Sequence, residues 1–461
     1  MGDTALDGLL TRVPQHDRFR TWAELRQGAA GLAREFPGLA RVETVGASRE
    51  GRPIELLRVG HGRRRMLCVG APHPNEPIGT LTIEFLARLL CEDDELRASL
   101  DVTLYAIPVA DPDGFVLNEG WFEGEFSPAR YALHFYRPPH REQVEWSFPV
   151  DYKTLRFTTP APETATLMRV MERVQPTFFY SLHNAGFCGV YFYVSHDRPD
   201  LYPALHRLVA DQGLPLHRGE PEVPYLETLA PAVYRLFGIA DTYEYLARTL
   251  GTDPAPVIEA GTSSDDWLAR RVDAFALVCE LPYYTAPALE DATPTDQRRR
   301  EVVLEGLAKA ESLHGEIATT FVGLGTLPDH RLVRSVADYV AKTPARIAAE
   351  RANAGSPEFE RPATRAEACD ATICTPFYHM LYLGEARRVA ALAEDRTTVD
   401  RLAERVERLA TDLTRASRLR VLPLRSLVGV QAGSGLLGLD GGSGLLRLGV
   451  GGLLRLRDLR L

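Results

Sequence analysis

Met66–Thr80, MLCVGAPHPNEPIGT, constrains the fold of this chain more than any other stretch. Its first five residues, Met66–Gly70, form an uninterrupted apolar run that reads as a buried strand. A loop rich in Pro, Asn and Gly ends the run, and Leu81–Leu90 continues with helical spacing. Strand, loop and helix in immediate succession form the repeating unit of an α/β sheet covered on both faces. The loop also carries His73 and Glu76, three residues apart. Imidazole and carboxylate are donors that a catalytic zinc takes, with one more protein ligand and an open position for water. On its own H-x-x-E describes a solvated loop as well as a metal site, and these residues alone leave both readings open.

The alternation extends along the first 286 residues. Thr21–Glu35 has helical periodicity and stops at Phe36-Pro37-Gly38. Ala40–Val45 and Ile54–Val59 read as a hairpin around Ser48–Arg52. Asp101–Val109 is a strand running into Asp111-Pro112-Asp113-Gly114-Phe115, which has the chemistry of a turn. Residues 116–160 are irregular, aromatic and proline-rich, and a loop of that length is usually functional or mobile. Glu163–Val174 and Leu201–Gly213 are expected helices, and Pro231–Leu236 is a further helical candidate. Thr177–Leu182 is a strand that delivers His183 at its end. Ala274–Leu281, AFALVCEL, is a nearly continuous apolar strand holding Glu280. A carboxylate in a buried strand is costly unless paired, metal-associated or raised in pKa. An edge strand with Glu280 facing water is the other reading.

After Tyr284 the pattern changes. Residues 287–420 are rich in Ala, Arg, Glu and Leu, with apolar stripes at helical spacing (Val302, Val303, Leu307, Ala310, Leu313, Ile317; then Val389, Leu392, Val399, Leu402, Val406, Leu409, Leu413). They are expected to form an appended helical domain of three or four helices whose stripes are core or partner-facing, so a protein partner or self-association would act through it. Residues 421–461 are a Leu/Gly/Arg low-complexity tail, and their glycine clusters predict disorder or irregular packing.

The 461 residues carry a net charge of −9 with 45% hydrophobic residues, an ordinary globular profile. No segment has the basic surplus that nucleic acid binding needs, and no run of 18 apolar residues predicts a membrane span. The six cysteines lack a C-x-x-C pair and read as buried reduced thiols. The first residues lack the apolar core of a secretory signal, so a cytoplasmic location is expected.

Four elements occur in the order of a zinc carboxypeptidase of the A/B type: H73-P-N-E76, D111-P-D-G-F115, H183 after a strand, and G261-T-S-S-D-D-W267 leading to V278-C-E280-L281. The chain resembles that family over about residues 20–285. The resemblance implies a mixed twisted sheet with helices on both faces, and one zinc ion held by His73, Glu76 and His183. It implies Glu280 as the general base that takes a proton from the attacking water and hands it to the leaving amine, acting on a peptide or peptide-like amide. It also implies an arginine that stabilises the oxyanion, with Arg137 the first choice and Arg130 and Arg141 as other candidates. His134, His140, His196, His206 and His217 are expected to be packed or surface histidines.

The chain departs from the family where the substrate's terminal carboxylate is held. In E145-W-S-F-P149, Trp146 takes the place of the family's arginine and cannot grip a carboxylate bidentately. Ile258 takes the place of its closing tyrosine. Gln143 takes the place of the aspartate that orients the first histidine, leaving Glu142 or Glu145 to supply that bond. Arg141 or Arg137 binding a carboxylate from another direction is one expectation; a substrate without that carboxylate is the other. Asp265 lies where the family's side-chain pocket discriminates, and an acid there goes with a basic substrate, although Asp265 also suits a helix cap. An N-acyl amino acid deacylase and a non-catalytic binding protein acting through the helical domain are the competing readings.

Overall fold

The computed structural model describes residues 5–219 and 221–440. A nine-stranded sheet forms the centre: β1 (Ala40–Ala47), β2 (Pro53–Val59), β3 (Arg64–Gly70), β4 (Val102–Ile107), β5 (Phe178–His183), β6 (Tyr191–Val194), β7 (Thr228–Ala230), β8 (Val233–Arg235) and β9 (Phe275–Glu280). Their spatial order is β1-β2-β4-β3-β5-β9-β6-β8-β7. The sheet is mixed: β4, β3, β5 and β9 run parallel, while β2 and β6 join antiparallel at either side. Side chains alternate between two cores. Met66 and Cys68 of β3 belong to one, Leu67 and Val69 to the other.

Among the helices, those that shape the site and the packing around it are α1 (Trp22–Glu35), α2 (Ile78–Glu92), α3 (Pro128–His134), α4 (Pro162–Val174), α5 (Tyr202–Asp211), α6 (Arg299–Gly323), α7 (Arg331–Asn353), α8 (Thr375–Leu392), α9 (Arg396–Ser417) and α10 (Leu424–Asp440). Thr21 starts α1 with a capping box to Glu24. The D-P-D-G segment, expected as a turn, opens a short helix, Pro112–Asn118. Asp111 caps it by accepting from the Gly114 N–H at 2.9 Å. Pro231–Leu236 is not helical: Ala232 lies at φ 55°, and Val233–Arg235 joins the sheet as β8.

The helical residues after β9 leave and return at one point. Tyr284–Thr285 pairs antiparallel with Arg420–Val421, so the stretch between them is inserted into the sheet-bearing unit. The insert is tightly seated on it. Gly384 of α8 approaches α3 so closely that a Cβ there would lie 1.9 Å from the Ala132 carbonyl oxygen. Arg388 donates to the carbonyls of His134 at 2.8 Å and Phe135 at 2.9 Å. Arg331, largely buried, pairs with the fully buried Asp113 at 2.7 Å.

The expectation of disorder from residue 421 is overturned for Leu424–Asp440. These residues form α10, buried against α2, α5 and the backs of β5 and β9. Its glycines are contact points: a Cβ on Gly435 would meet Tyr180 at 2.8 Å, and one on Gly438 would meet Phe178 at 2.8 Å. Small residues let the helix lie flat on aromatic side chains, and burial offsets their low helix propensity. The rest of that expected tail, 441–461, lies outside the described residues.

Candidate metal centre and its cavity

Three adjacent parallel strands deliver the site at their C-terminal ends, the usual ligand position in such sheets. β3 ends three residues before His73. Glu76 follows in the same loop, just before α2. β5 ends in His183, and β9 ends in Glu280, its direct partner across the ladder. The donor atoms of His73, Glu76 and His183 lie within 4.8 Å of one another, and all three residues are buried. His183 Nδ1 lies 3.1 Å from Glu76 Oε2 and 3.8 Å from Glu280 Oε1. The other ring nitrogen of His183 is engaged with Ser181 Oγ at 2.9 Å, which fixes how the imidazole faces the carboxylates. Arg137 Nη1 donates to Glu76 Oε1 at 2.9 Å.

The electrostatics match this packing. Burial, with the charges of Arg137 and His183, holds His73 well below the ordinary imidazole range, so it is neutral. Burial pulls His183 the same way, but the hydrogen bond to Glu76 and the charges of Glu280, Glu76 and Glu145 outweigh it and raise the ring to about 9. Burial holds the Glu280 carboxyl well above its usual range, against the pull of His183. A cluster so rich in buried acid calls for positive charge.

The site opens into a cavity of about 530 Å³. Arg137, Trp146 and Asp265 line it. Arg130 and Arg141 do not: Arg141 is exposed on the turn His140–Glu142, and the Arg130 guanidinium lies beside Gly124. Asp265 is raised to about 7 by burial and by Glu145 beside it. Glu145 accepts from the N–H and hydroxyl of Ser264 through Oε1, while Oε2 is buried without a partner. Neither Glu142 nor Glu145 bonds to His73: Glu142 pairs with Arg49 and Arg334. His217, expected to be packed or on the surface, lines the cavity.

The wall that sequence reasoning missed comes from the insert. Tyr339 of α7 and Tyr378, His379 and Tyr382 of α8 face this cavity, as do Glu222 and Tyr191 of the sheet unit. Tyr339 and Tyr382 stack with centroids 4.1 Å apart. The aromatic run Phe377–Tyr382, in a region otherwise made of Ala, Arg, Glu and Leu, was the available signal. The insert also braces the segment that carries Arg137. Ser335 Oγ donates to the Arg137 carbonyl at 2.7 Å and lies 2.9 Å from Glu385 Oε2. A hydroxyl has one proton to give, so Glu385, held far above its usual range by burial, is the protonated donor to Ser335.

A family model described as zinc carboxypeptidase matches residues 25–286, more than half of the chain. The chain belongs to the zinc carboxypeptidase family. Membership in the zinc carboxypeptidases supports a metallopeptidase. Carboxypeptidase B of Astacus astacus is 32% identical over 113 residues, which cover 23% of this chain and 34% of that protein. The inactive metallocarboxypeptidase ECM14 of Ajellomyces capsulatus (strain H143) is 36% identical over 97 residues, 18% of this chain and 16% of that one. The chain thus spans about a third or less of the length of these relatives. Among solved structures, the carboxypeptidase A from Helicoverpa armigera aligns over 60% of this chain and 70% of its own, with 15% identity and a TM-score of 0.40. The family's zinc fits the residues present: His73 Nδ1 is buried without a partner, and the neighbouring donors are one imidazole and one carboxylate. Among the described residues, no helix is long and apolar enough to cross a membrane.

Proposed function

We propose that the chain is a zinc-dependent amide hydrolase that cleaves a small peptide or peptide-like amide whose leaving portion carries a positive charge. The observation that carries this reading is the convergence of His73, Glu76 and His183 within 4.8 Å, with Glu280 3.8 Å from His183, at the ends of neighbouring strands. His73, Glu76 and His183 hold the ion. When bound, zinc supplies Lewis acidity and makes a neutral-pH nucleophile of water. Glu280 takes a proton from the attacking water as its oxygen bonds to the carbonyl carbon. The same carboxyl returns that proton to the nitrogen as the C–N bond breaks. Burial makes its carboxylate a stronger base for the first half of the transfer, and the carboxyl so formed is the acid of the second. Arg137 spends one N–H on Glu76 and turns its others to the developing oxyanion.

Glu145 and Asp265 support the charged leaving portion: two buried carboxyls side by side on the cavity wall, one with an unpartnered oxygen, suit an ammonium or guanidinium group. The insert's aromatic wall favours a short substrate, which keeps N-acyl amino acids beside peptides as test compounds. Six buried free thiols favour a reducing compartment such as the cytoplasm.

Metal analysis and turnover test the proposal together. Changing His73, Glu76 or His183 to Ala is expected to remove zinc. Glu280→Gln is expected to retain zinc and lose about 100-fold or more in kcat. Full turnover by the Gln variant would overturn the mechanism.

A further inference from the structure

α10 brings two fully buried polar side chains to the back of the site, Gln431 and Ser434. Ser434 bonds the Tyr180 hydroxyl, and Gln431 reaches the strand ends. Its Nε2 donates to the His183 carbonyl at 3.2 Å and to the Cys279 carbonyl at 3.4 Å. Its Oε1 accepts from Thr82 Oγ1 of α2 at 2.8 Å. Both amide protons and the amide oxygen are thereby used, as a buried carboxamide requires. The helix backbone is fastened beside it, where the Tyr180 hydroxyl of β5 donates to the Gln431 carbonyl at 2.9 Å.

The three partners are the three elements that carry the chemistry. His183 ends β5. Cys279 immediately precedes Glu280 on β9. Thr82 lies on the helix that follows the His73–Glu76 loop. His183 is the last residue of β5, where ladder pairing stops directing the peptide carbonyl, and Cys279 lies one residue inside the end of β9. A tilt of the His183 or Cys279 peptide moves the imidazole or carboxylate attached to it.

We propose that Gln431 is a positioning residue: its carboxamide ties the ends of β5 and β9 to α2 and so sets the distance from Glu280 to the metal-binding imidazole and carboxylate. This inference rests on the reading of His73, Glu76 and His183 as metal ligands. A fully satisfied buried amide on this helix orients the carbonyls, whereas a leucine of similar size would fill the space and bond neither.

The test compares the full-length parent with Gln431→Leu, Thr82→Val and a control, Leu437→Ala, which shortens a core side chain of the same helix away from the site. Zinc affinity is read by competition with a chromophoric chelator, site geometry by the visible spectrum of the Co²⁺-loaded protein, and backbone order by hydrogen exchange over 181–184 and 278–281 in the metal-free protein. Gln431→Leu is expected to bind zinc about 10-fold more weakly, to alter the Co²⁺ bands, to exchange faster in both segments and to lose kcat with KM nearly unchanged. Thr82→Val is expected to move the same readouts less, and remains the test should Gln431→Leu not fold. Leu437→Ala is expected to lower Tm while leaving the Co²⁺ spectrum in place. Unchanged affinity, spectrum and exchange in Gln431→Leu or in Thr82→Val would overturn the inference. A parent that binds neither zinc nor Co²⁺ would sink the metal reading instead, and the exchange comparison would still judge Gln431.

Discussion

Asp265 and Glu145 form a buried acidic pair on the cavity wall, and Asp265 titrates near 7. Below that pH the free protein carries Asp265 protonated; above it the carboxylate is charged. Lysine and arginine side chains stay positive across this range. The preference in kcat/KM for a lysine-ended over an alanine-ended substrate should therefore rise as pH climbs through about 7 and fall away on acidification. Asp265→Asn should flatten that dependence, as a pH series with the two substrates would reveal. Arg137 makes a separate case. Its replacement by alanine should lower kcat by about 100-fold or more if it supports the oxyanion. Retained zinc in that variant would show that the loss is not one of metal binding.

At the scale of elements, the insert is fastened to the sheet unit by a few buried contacts. Arg331 of α7 meets Asp113 at 2.7 Å, and Asp113 also accepts from Ser48 Oγ at 2.6 Å. Truncating Arg331 to alanine removes one of the two guanidinium partners of that carboxylate, Arg52 at 2.8 Å being the other, a loss of about 1.5–3 kcal/mol for a hydrogen bond to a charged group; urea unfolding would measure it. Gly384→Ala drives a methyl group into the Ala132 carbonyl, and overpacking of this kind costs about 1–3 kcal/mol. These contacts explain what the sequence made legible and what it did not. β3, β5 and β9 were legible because each is an apolar run bounded by turn residues. His73, Glu76, His183 and Glu280 stood out as polar groups at the ends of such runs. α10 was illegible because glycine at a close contact and glycine in a flexible linker are the same letter, and only the facing Tyr180 and Phe178 tell them apart. The cavity wall from α7 and α8 was illegible for a related reason: helical spacing says that one face is buried, not which distant surface buries it. That Arg137 faces the cavity and Arg130 and Arg141 do not was illegible too, because position within the long segment 116–160 says nothing about direction.

At the scale of the whole molecule, the unit built on the sheet is discontinuous in sequence: among the described residues it runs up to Thr285 and again over Arg420–Asp440, with the insert between. A chain cut after Pro423 would retain the family-matching region and the entire insert, yet it would expose the apolar faces of α2, α5, β5 and β9 that α10 covers. Such a chain is expected to be insoluble or to unfold tens of degrees below the full protein, which expression trials and calorimetry would check. The placement of α10 also sets an order of events during synthesis. His73, Glu76, His183 and Glu280 leave the ribosome early, but the strand ends bearing the last two receive their anchor only after more than a hundred further residues are made. At about 5–20 residues per second that interval is on the order of ten seconds. A nascent chain carries every proposed ligand through that interval before its site has a floor, so a settled metal site is expected only once translation has passed Leu424–Asp440.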